Sequence, residues 1–210
     1  MIREYGDPDA ATVLIQPVGP DALDCMEREL SAIRALTDAD FRLAAVTVDR
    51  WDHDLSPWEA PAVFRGARFG NGAQATLDSI AAYCGDKHLT FYIGGYSLAG
   101  LFSLWAACRT DLFAGVAAAS PSVWFPGFID YMWTNRIRSR AVYLSLGDRE
   151  EKVRNPMLAA VGGRIRETCE LIRAQNVDCV LEWNPGNHFA EPELRTAKAF
   201  AWLLNTQRSG

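Results

Sequence analysis

The sequence predicts an α/β fold with about six mainly parallel strands and helices on both faces of the sheet. Short runs of β-branched and aliphatic residues alternate with longer stretches of helical periodicity, which is typical of successive strand–helix–strand units. Several of the strand runs are apolar throughout, as expected where helices cover both faces of a sheet. The strands are predicted at residues 12–16, 42–48, 89–93, 115–119, 142–146 and 180–183.

Helical periodicity fills the intervals between these strands. The helices are predicted at residues 21–36, 73–84, 98–108, 156–175 and 193–205. The chain has 210 residues, of which 49% are hydrophobic, so it is long enough to bury one substantial core. Because no repeat or linker divides it, we expect a single compact domain over residues 1–210, without a large lid.

Charge and composition exclude several classes of partner. The net charge is −5 and both signs are interspersed, so we expect no binding of nucleic acid. No apolar stretch reaches the roughly 20 residues that cross a bilayer, and the polar first residues do not resemble a secretory signal. We therefore expect no membrane association and a cytoplasmic location. The five cysteines are scattered, which argues against a disulfide framework and against a zinc site.

A candidate nucleophile lies between a predicted buried strand and an apolar helix, in the segment Phe91-Tyr-Ile-Gly-Gly-Tyr-Ser-Leu-Ala-Gly100. A serine on a sharp strand-to-helix turn needs small residues two positions before and after it, and Gly95 and Ala99 meet this need for Ser97. The Leu98 N–H, at the start of the helix, is a candidate donor to an oxyanion. The alternative is a tight turn of the kind found in nucleotide-binding proteins, in which the serine has no catalytic role.

The chain contains three histidines, and His188 is the candidate general base. It follows the last predicted strand, and so lies at the carboxyl edge of the sheet, where ligands bind in such folds. His88 precedes the strand that leads to Ser97, which places it at the opposite edge. His53 precedes Ser97 in the chain and has carboxylate neighbours, but a solvated or substrate-lining loop is favoured over a metal site there.

The acid that orients the histidine is expected after the strand predicted at 142–146, where Asp148, Arg149, Glu150 and Glu151 follow in succession. A serine nucleophile on a strand-to-helix turn is followed along the chain first by the acid and then by the histidine, and this sequence has the same order. We favour Glu150, because three residues after Gly147 the chain has turned away from the strand. Asp148 remains the alternative.

With these residues in place, the chain from Thr12 to Asn205 resembles the α/β-hydrolase fold, and within it the esterase branch that includes esterase D and the siderophore esterases. The resemblance rests on four segments: Gly95-Tyr-Ser-Leu-Ala-Gly100, Ser120-Pro-Ser-Val-Trp124, Leu146-Gly-Asp-Arg-Glu150 and Gly186-Asn-His188. It implies ester hydrolysis through an acyl-serine intermediate, without a cofactor or metal. By position, Ser97 is then the nucleophile, Glu150 the orienting acid and His188 the base. The chain begins at what would be the third strand of larger relatives, so their first antiparallel strands are expected to be missing.

The same resemblance places the second oxyanion donor in the loop after the first central strand. Pro17 and Pro20 have no N–H, which leaves Val18 or Gly19, and we favour Val18. Trp51 and Trp124 are predicted to contact substrate, because they lie in loops at the same edge, as do Trp58 and Phe125. The expected partner is a small soluble ester with a short acyl group.

Three other functions remain possible from the residues alone. The fold could have lost turnover and serve as a binding protein, although all three residues of a catalytic set are present. The same set could cleave peptides or thioesters, or transfer acyl groups. Nucleotide binding through Gly70-Asn-Gly72 is disfavoured, because that segment does not directly follow a strand.

Overall fold

The computed structural model describes residues 1–61, 63 and 68–206. The described residues form one seven-stranded sheet in the order β1-β3-β2-β4-β5-β6-β7. The strands are β1 (Ile2–Gly6), β2 (Thr12–Val18), β3 (Arg42–Thr47), β4 (Thr90–Tyr96), β5 (Phe113–Ala119), β6 (Ala141–Gly147) and β7 (Asp178–Asn184). The last four residues of the predicted domain, 207–210, lie outside the described residues.

The helices surround this sheet. They are α1 (Met26–Arg34), α2 (Trp51–Asp54), α3 (Ala73–Tyr83), α4 (Leu98–Arg109), α5 (Phe128–Thr134), α6 (Pro156–Ala159), α7 (Val161–Arg173) and α8 (Pro192–Thr206), and a 3-10 helix (Pro20–Cys25) precedes α1. The helix predicted at 21–36 therefore begins as a 3-10 turn, and the one predicted at 156–175 divides at Ala160. Within the described residues, no helix is both long and apolar enough to span a membrane.

All six predicted strands are present, and all neighbouring pairs among them are parallel. The seventh strand, β1, was not predicted. It pairs antiparallel with β3, from Ile2 opposite Val46 to Gly6 opposite Arg42. β1 is an edge strand without fully buried residues, so it lacks the apolar run by which the other strands were predicted. The expectation that the antiparallel strands are missing is thus wrong for this one strand.

The core lies in two layers, one on each face of the sheet. On one face α1 and α8 pack against side chains such as Tyr92 and Tyr143. On the other face lie α3, α4, α5 and α7. Helix α4 is buried on almost every side, from Leu98 to Cys108, which explains why its sequence is apolar throughout rather than amphipathic. Helices on both faces were predicted, and the structure confirms them.

The order of the strands determines where the site can form. β4, β5, β6 and β7 are consecutive neighbours and run parallel, so their carboxyl ends meet at one edge. Ser97 follows β4 directly, Glu150 follows β6 and His188 follows β7. The fold therefore brings residues from three distant parts of the chain to the same edge of the sheet.

Candidate active site

Ser97 occupies a strained turn between β4 and α4. Its φ of 57° and ψ of −118° lie outside the common regions for a residue with a side chain, which costs on the order of 1–3 kcal/mol. Two hydrogen bonds hold the turn: Ser97 N–H donates to Ala119 O at 3.1 Å, and Ser122 N–H donates to Ser97 O at 3.0 Å. The neighbouring β5 and the segment after it thus fix the serine at the end of the strand.

The turn is possible only because its flanking residues are small. A Cβ on Gly95 would lie 2.7 Å from the Cβ of Ala99, and Gly95 also has a positive φ of 155°. A Cβ on Gly100 would lie 3.0 Å from Gly95 O and 3.1 Å from the Cβ of Pro121. The first turn of α4 therefore packs directly on the end of β4, and the spacing of small residues around Ser97 reflects this contact.

The structure brings Ser97, His188 and Glu150 into one hydrogen-bonded chain. His188 Nε2 lies 3.0 Å from Ser97 Oγ, and His188 Nδ1 lies 2.6 Å from Glu150 Oε2. Asp148, the alternative acid, points elsewhere: its Oδ1 accepts the N–H of Gly186 at 2.8 Å. Glu150 is therefore the carboxylate in contact with His188, and Asp148 anchors the loop that carries His188.

Glu150 is a buried carboxylate whose second oxygen is also fully engaged. Its Oε1 accepts hydrogen bonds from Ser120 Oγ at 2.7 Å, from Gly147 N–H at 2.7 Å and from Arg195 Nη1 at 2.8 Å. Burial alone would raise the pKa of Glu150, but the hydrogen bonds from His188, Ser120 and Gly147 outweigh it and lower the pKa below the usual value. Glu150 is thus ionised at neutral pH and can accept the Nδ1–H of His188.

The two predicted oxyanion donors differ in their positions. Leu98 is the first residue of α4 and lines the cavity beside Ser97. Its N–H has no acceptor within the helix, so it is free to bind a substrate oxygen. Val18 is the last residue of β2, where it pairs with Thr47, and it is not part of the cavity wall. The following residue, Gly19, lies outside the strand.

A cavity of about 310 Å³ opens beside Ser97 and His188. Its wall is mainly apolar and includes Trp51, Phe69, Leu98, Trp124, Val153, Leu158, Val161 and Phe189, together with Asp52. Both predicted substrate residues, Trp51 and Trp124, are thus in the wall. The ring of Trp124 packs on that of Phe69, with 6.1 Å between centroids. Phe189 is 86% exposed and lies at the mouth.

Two aromatic residues predicted at this edge belong to the packing of the loops instead. Trp58 donates its Nε1–H to Pro126 O at 2.8 Å and packs against Phe125 and Tyr131. Phe125 is itself only 2% exposed. Both side chains support the loop after β5, which carries Trp124.

The other two histidines lie outside the candidate site. His53 Nδ1 is 2.8 Å from Asp54 Oδ1, and its ring packs closely on Gly70 and Gly72. His88 is exposed and lies just before β4 begins. Its main-chain N–H donates to Asp86 Oδ1. Among the residues the structure describes, no group of three or more His, Cys, Asp or Glu side chains could hold a metal ion.

Sequence reasoning gave no role to three side chains around the candidate catalytic set: Tyr96, Ser120 and Arg195. Tyr96 Oη donates to the main-chain oxygen of His188 at 2.7 Å, and Ser120 and Arg195 both donate to Glu150. The sequence does contain a signal for Arg195. This residue lies four and eight residues before Ala199 and Leu203, so a charged residue falls on the buried stripe of α8.

Comparison with known proteins gives matches among solved structures. No protein-family model and no curated protein sequence matches the chain. An IroE-like serine hydrolase from Shewanella oneidensis has 13% identity and a TM-score of 0.76, over 97% of this chain and 75% of that one. The siderophore hydrolase EstB from Aspergillus nidulans has 16% identity and a TM-score of 0.70, over 94% and 83%.

A third similar structure, Est1E from Butyrivibrio proteoclasticus, covers almost the full length of both chains. The TM-score is 0.60 at 15% identity, over 99% of this chain and 95% of that one. At such identities a likeness shows the arrangement of strands and helices and leaves the activity open. Together with the parallel sheet, the two helical layers and the elbow at Ser97, it shows that the protein has the α/β-hydrolase fold.

Proposed function

We propose that the protein is a serine hydrolase that cleaves a small carboxylic ester through an acyl-serine intermediate. One observation carries this proposal: the hydrogen-bonded chain Ser97–His188–Glu150 lies beside an apolar cavity, with distances of 3.0 and 2.6 Å. A serine hydroxyl is a weak nucleophile, and a histidine within hydrogen-bond reach activates it.

The proposed reaction has two halves. Ser97 Oγ attacks the ester carbonyl carbon while His188 Nε2 takes the hydroxyl proton, and Glu150 stabilises the imidazolium that forms. The oxygen of the tetrahedral intermediate is stabilised by the Leu98 N–H and the second donor, Val18 or Gly19. The intermediate collapses, the alcohol leaves with the proton from His188, and the acyl group stays on Ser97. Water then attacks the acyl-serine by the same route and releases the acid.

The dimensions of the cavity support a compact substrate. Its volume of about 310 Å³ is near the lower end of the range for small-molecule sites. Its wall holds Trp51 and Trp124, which offer flat apolar surfaces to an acyl or aromatic group. The solved structures described above include proteins named as a serine hydrolase and a siderophore hydrolase, which is consistent with ester cleavage.

Labelling with a fluorophosphonate probe tests the proposed nucleophile. We expect the wild-type protein to be labelled and Ser97→Ala to stay unlabelled. Ser122→Ala is the matched control, because Ser122 Oγ lies only 3.2 Å from Ser97 Oγ and lines the same cavity. This control should still be labelled. A folded wild-type protein that is not labelled would favour a binding protein that has lost turnover.

Hydrolysis of nitrophenyl esters tests the substrate class. We expect kcat/KM to be higher for nitrophenyl acetate than for a long-chain ester, since the cavity of about 310 Å³ is small. A clear preference for the long chain would contradict the short-acyl proposal. A labelled protein that cleaves thioesters or peptides but no ester would replace ester hydrolysis by one of those reactions.

A further inference from the structure

We infer that Arg195 is a positioning residue of this site, whose guanidinium sets the separation between Glu150 and the loop that carries His188. The inference rests on the proposed function and extends it to a further residue. Arg195 lies in α8, a helix that contributes none of the three proposed catalytic residues. Arg195 does not touch the reacting atoms. It acts through the acid and through the backbone that precedes the base.

One end of the guanidinium binds the acid. Arg195 Nη1 donates to Glu150 Oε1 at 2.8 Å, the oxygen that does not contact His188. It also lies 3.1 Å from Ser120 Oγ and 3.1 Å from Tyr96 Oη, which themselves bond to Glu150 and to the His188 backbone. The Arg195 side chain is only 3% exposed, so these bonds replace the water that a guanidinium would otherwise bind.

The other end binds the loop after β7. Arg195 Nη2 donates to the main-chain oxygens of Pro185 and Asn187 at 3.0 and 3.1 Å. Asn187 directly precedes His188, so this bond fixes the peptide from which the imidazole projects. The two terminal nitrogens of one rigid guanidinium thus hold Glu150 and the loop before His188. A lysine has a single nitrogen on a flexible chain and cannot reproduce both contacts.

Gly147 makes room for the guanidinium. A Cβ at this position would clash with the main-chain oxygen of Gly186 and would also lie 3.0 Å from Nη1 and 3.0 Å from Nη2 of Arg195. Gly147 also donates its N–H to Glu150 Oε1. The end of β6 therefore packs directly against the guanidinium of Arg195. The same guanidinium binds Glu150 and the loop that carries His188.

The charge of Arg195 has an effect separate from its geometry. A cation on Oε1 draws negative charge away from Oε2, which weakens the support that Glu150 gives to a protonated His188. Loss of the cation should therefore favour the imidazolium, and the acid limb of the kcat/KM profile should move to higher pH. A residue that only stabilised the fold would not move this limb.

The test compares Arg195→Lys and Arg195→Ala with the wild type, using nitrophenyl acetate and normalising turnover to the sites titrated by a fluorophosphonate. We expect kcat per titrated site to fall by about 10- to 100-fold, the scale of a displacement near 1 Å, with KM nearly unchanged. In Arg195→Lys the charge remains, so the acid limb should move less than in Arg195→Ala. Arg173→Met is the control: this helix arginine also donates to a main-chain oxygen, that of Cys179, but away from the site.

Addition of guanidinium chloride to Arg195→Ala provides a second readout. Guanidinium should restore part of the lost kcat, and the same concentration of sodium chloride or urea should not. If Arg195→Ala does not fold, Arg195→Lys carries the test through kcat per titrated site.

Two results would overturn the inference and leave the proposed function intact. One is wild-type turnover per titrated site in Arg195→Lys. The other is a folded Arg195→Ala whose acid limb does not move and whose activity guanidinium does not restore. A wild-type protein that neither reacts with the probe nor hydrolyses esters would overturn the proposed function, and this inference with it.

Discussion

The hydroxyl of Tyr96 donates a hydrogen bond to the main-chain oxygen of His188 at 2.7 Å. Tyr96 immediately precedes Ser97, so the strand end that presents Ser97 also holds the backbone of His188. The two rings are in contact as well, with 5.1 Å between centroids. Ser97 and His188 are thus connected through Tyr96 and the backbone as well as through their own side chains.

The change Tyr96→Phe removes this bond, together with the one that Tyr96 Oη accepts from Arg195 Nη1, and keeps the ring contact. We expect kcat to fall several-fold with KM nearly unchanged, and the free energy of unfolding to fall by about 1–3 kcal/mol, the usual net contribution of two hydrogen bonds. Steady-state kinetics and urea unfolding measure the two effects. An unchanged kcat would show that the bond does not position His188.

Ser120 combines a donor to Glu150 with a left-handed backbone, at a φ of 42°. Ser120→Ala and Ser120→Gly both remove the hydroxyl, so we expect both to lower kcat several-fold. Only glycine adopts this φ without strain, so Ser120→Gly should unfold at a higher temperature than Ser120→Ala. Equal melting temperatures would contradict the strain at this position.

The close packing of Gly95 on Ala99 makes a second pair of variants informative. Gly95→Ala should destabilise the protein, because its Cβ would lie 2.7 Å from that of Ala99 at an unfavourable φ. Adding Ala99→Gly removes the clash and leaves the φ strain, so the double variant should recover part of the loss. Thermal unfolding of the single and double variants measures this coupling, and strictly additive losses would argue against the contact.

Trp124 is expected to bind the apolar part of the substrate. Trp124→Ala should raise KM for an aromatic ester more than for nitrophenyl acetate, since it removes one wall of the cavity. Trp133 is the matched control, because it is 65% exposed and lies outside the cavity wall. If Trp133→Ala has the same effect on KM, the assignment of Trp124 to substrate binding is wrong.

Glu29 predicts a pH dependence of stability that is independent of catalysis. It is buried on α1, accepts a hydrogen bond from Gln16, and its burial raises its pKa from 4.5 to about 8. Between these values the folded state holds a proton that the unfolded state has released, so stability falls as pH rises, by on the order of 5 kcal/mol at most.

The change Glu29→Gln tests this dependence through urea unfolding at pH 5, 7 and 9. The stability of Glu29→Gln relative to the wild type should increase with pH, because glutamine does not ionise. Glu27→Gln, an exposed position on the same helix, should show no comparable trend. A constant difference between Glu29→Gln and the wild type would mean that Glu29 does not hold its proton in the folded state.

The parts of the site that sequence reasoning predicted are those that local chemistry determines. The elbow at Ser97 needs small residues at fixed short distances, and the strand before it is buried on both faces, so both are visible in ten consecutive residues. The preference for Glu150 over Asp148 also came from a local argument about where the chain turns. Its contact with His188, 38 residues later, could be seen only in the fold.

The parts that were missed depend on long-range contacts or on backbone pairing. Arg195 reaches Glu150 across 45 residues, and its role depends on two loops that meet over α8. The strand β1 is held by its antiparallel pairing with β3 and has no apolar run. Periodicity reports burial on one element at a time, so it can show that Arg195 lies on the buried stripe of α8 but not that it contacts Glu150, and it does not reveal the pairing of β1 with β3.

The spacing of Ser97, His188 and Arg195 along the chain also determines the order in which the candidate site is made. A ribosome adds Ser97 91 residues before His188, and Arg195 comes later still. While α8 is inside the exit tunnel, the emerging Ser97 has neither His188 nor Arg195 nearby. Synthesis from the amino end thus completes the hydrogen-bonded chain of Ser97, His188 and Glu150 only after the sheet and α8 have come together.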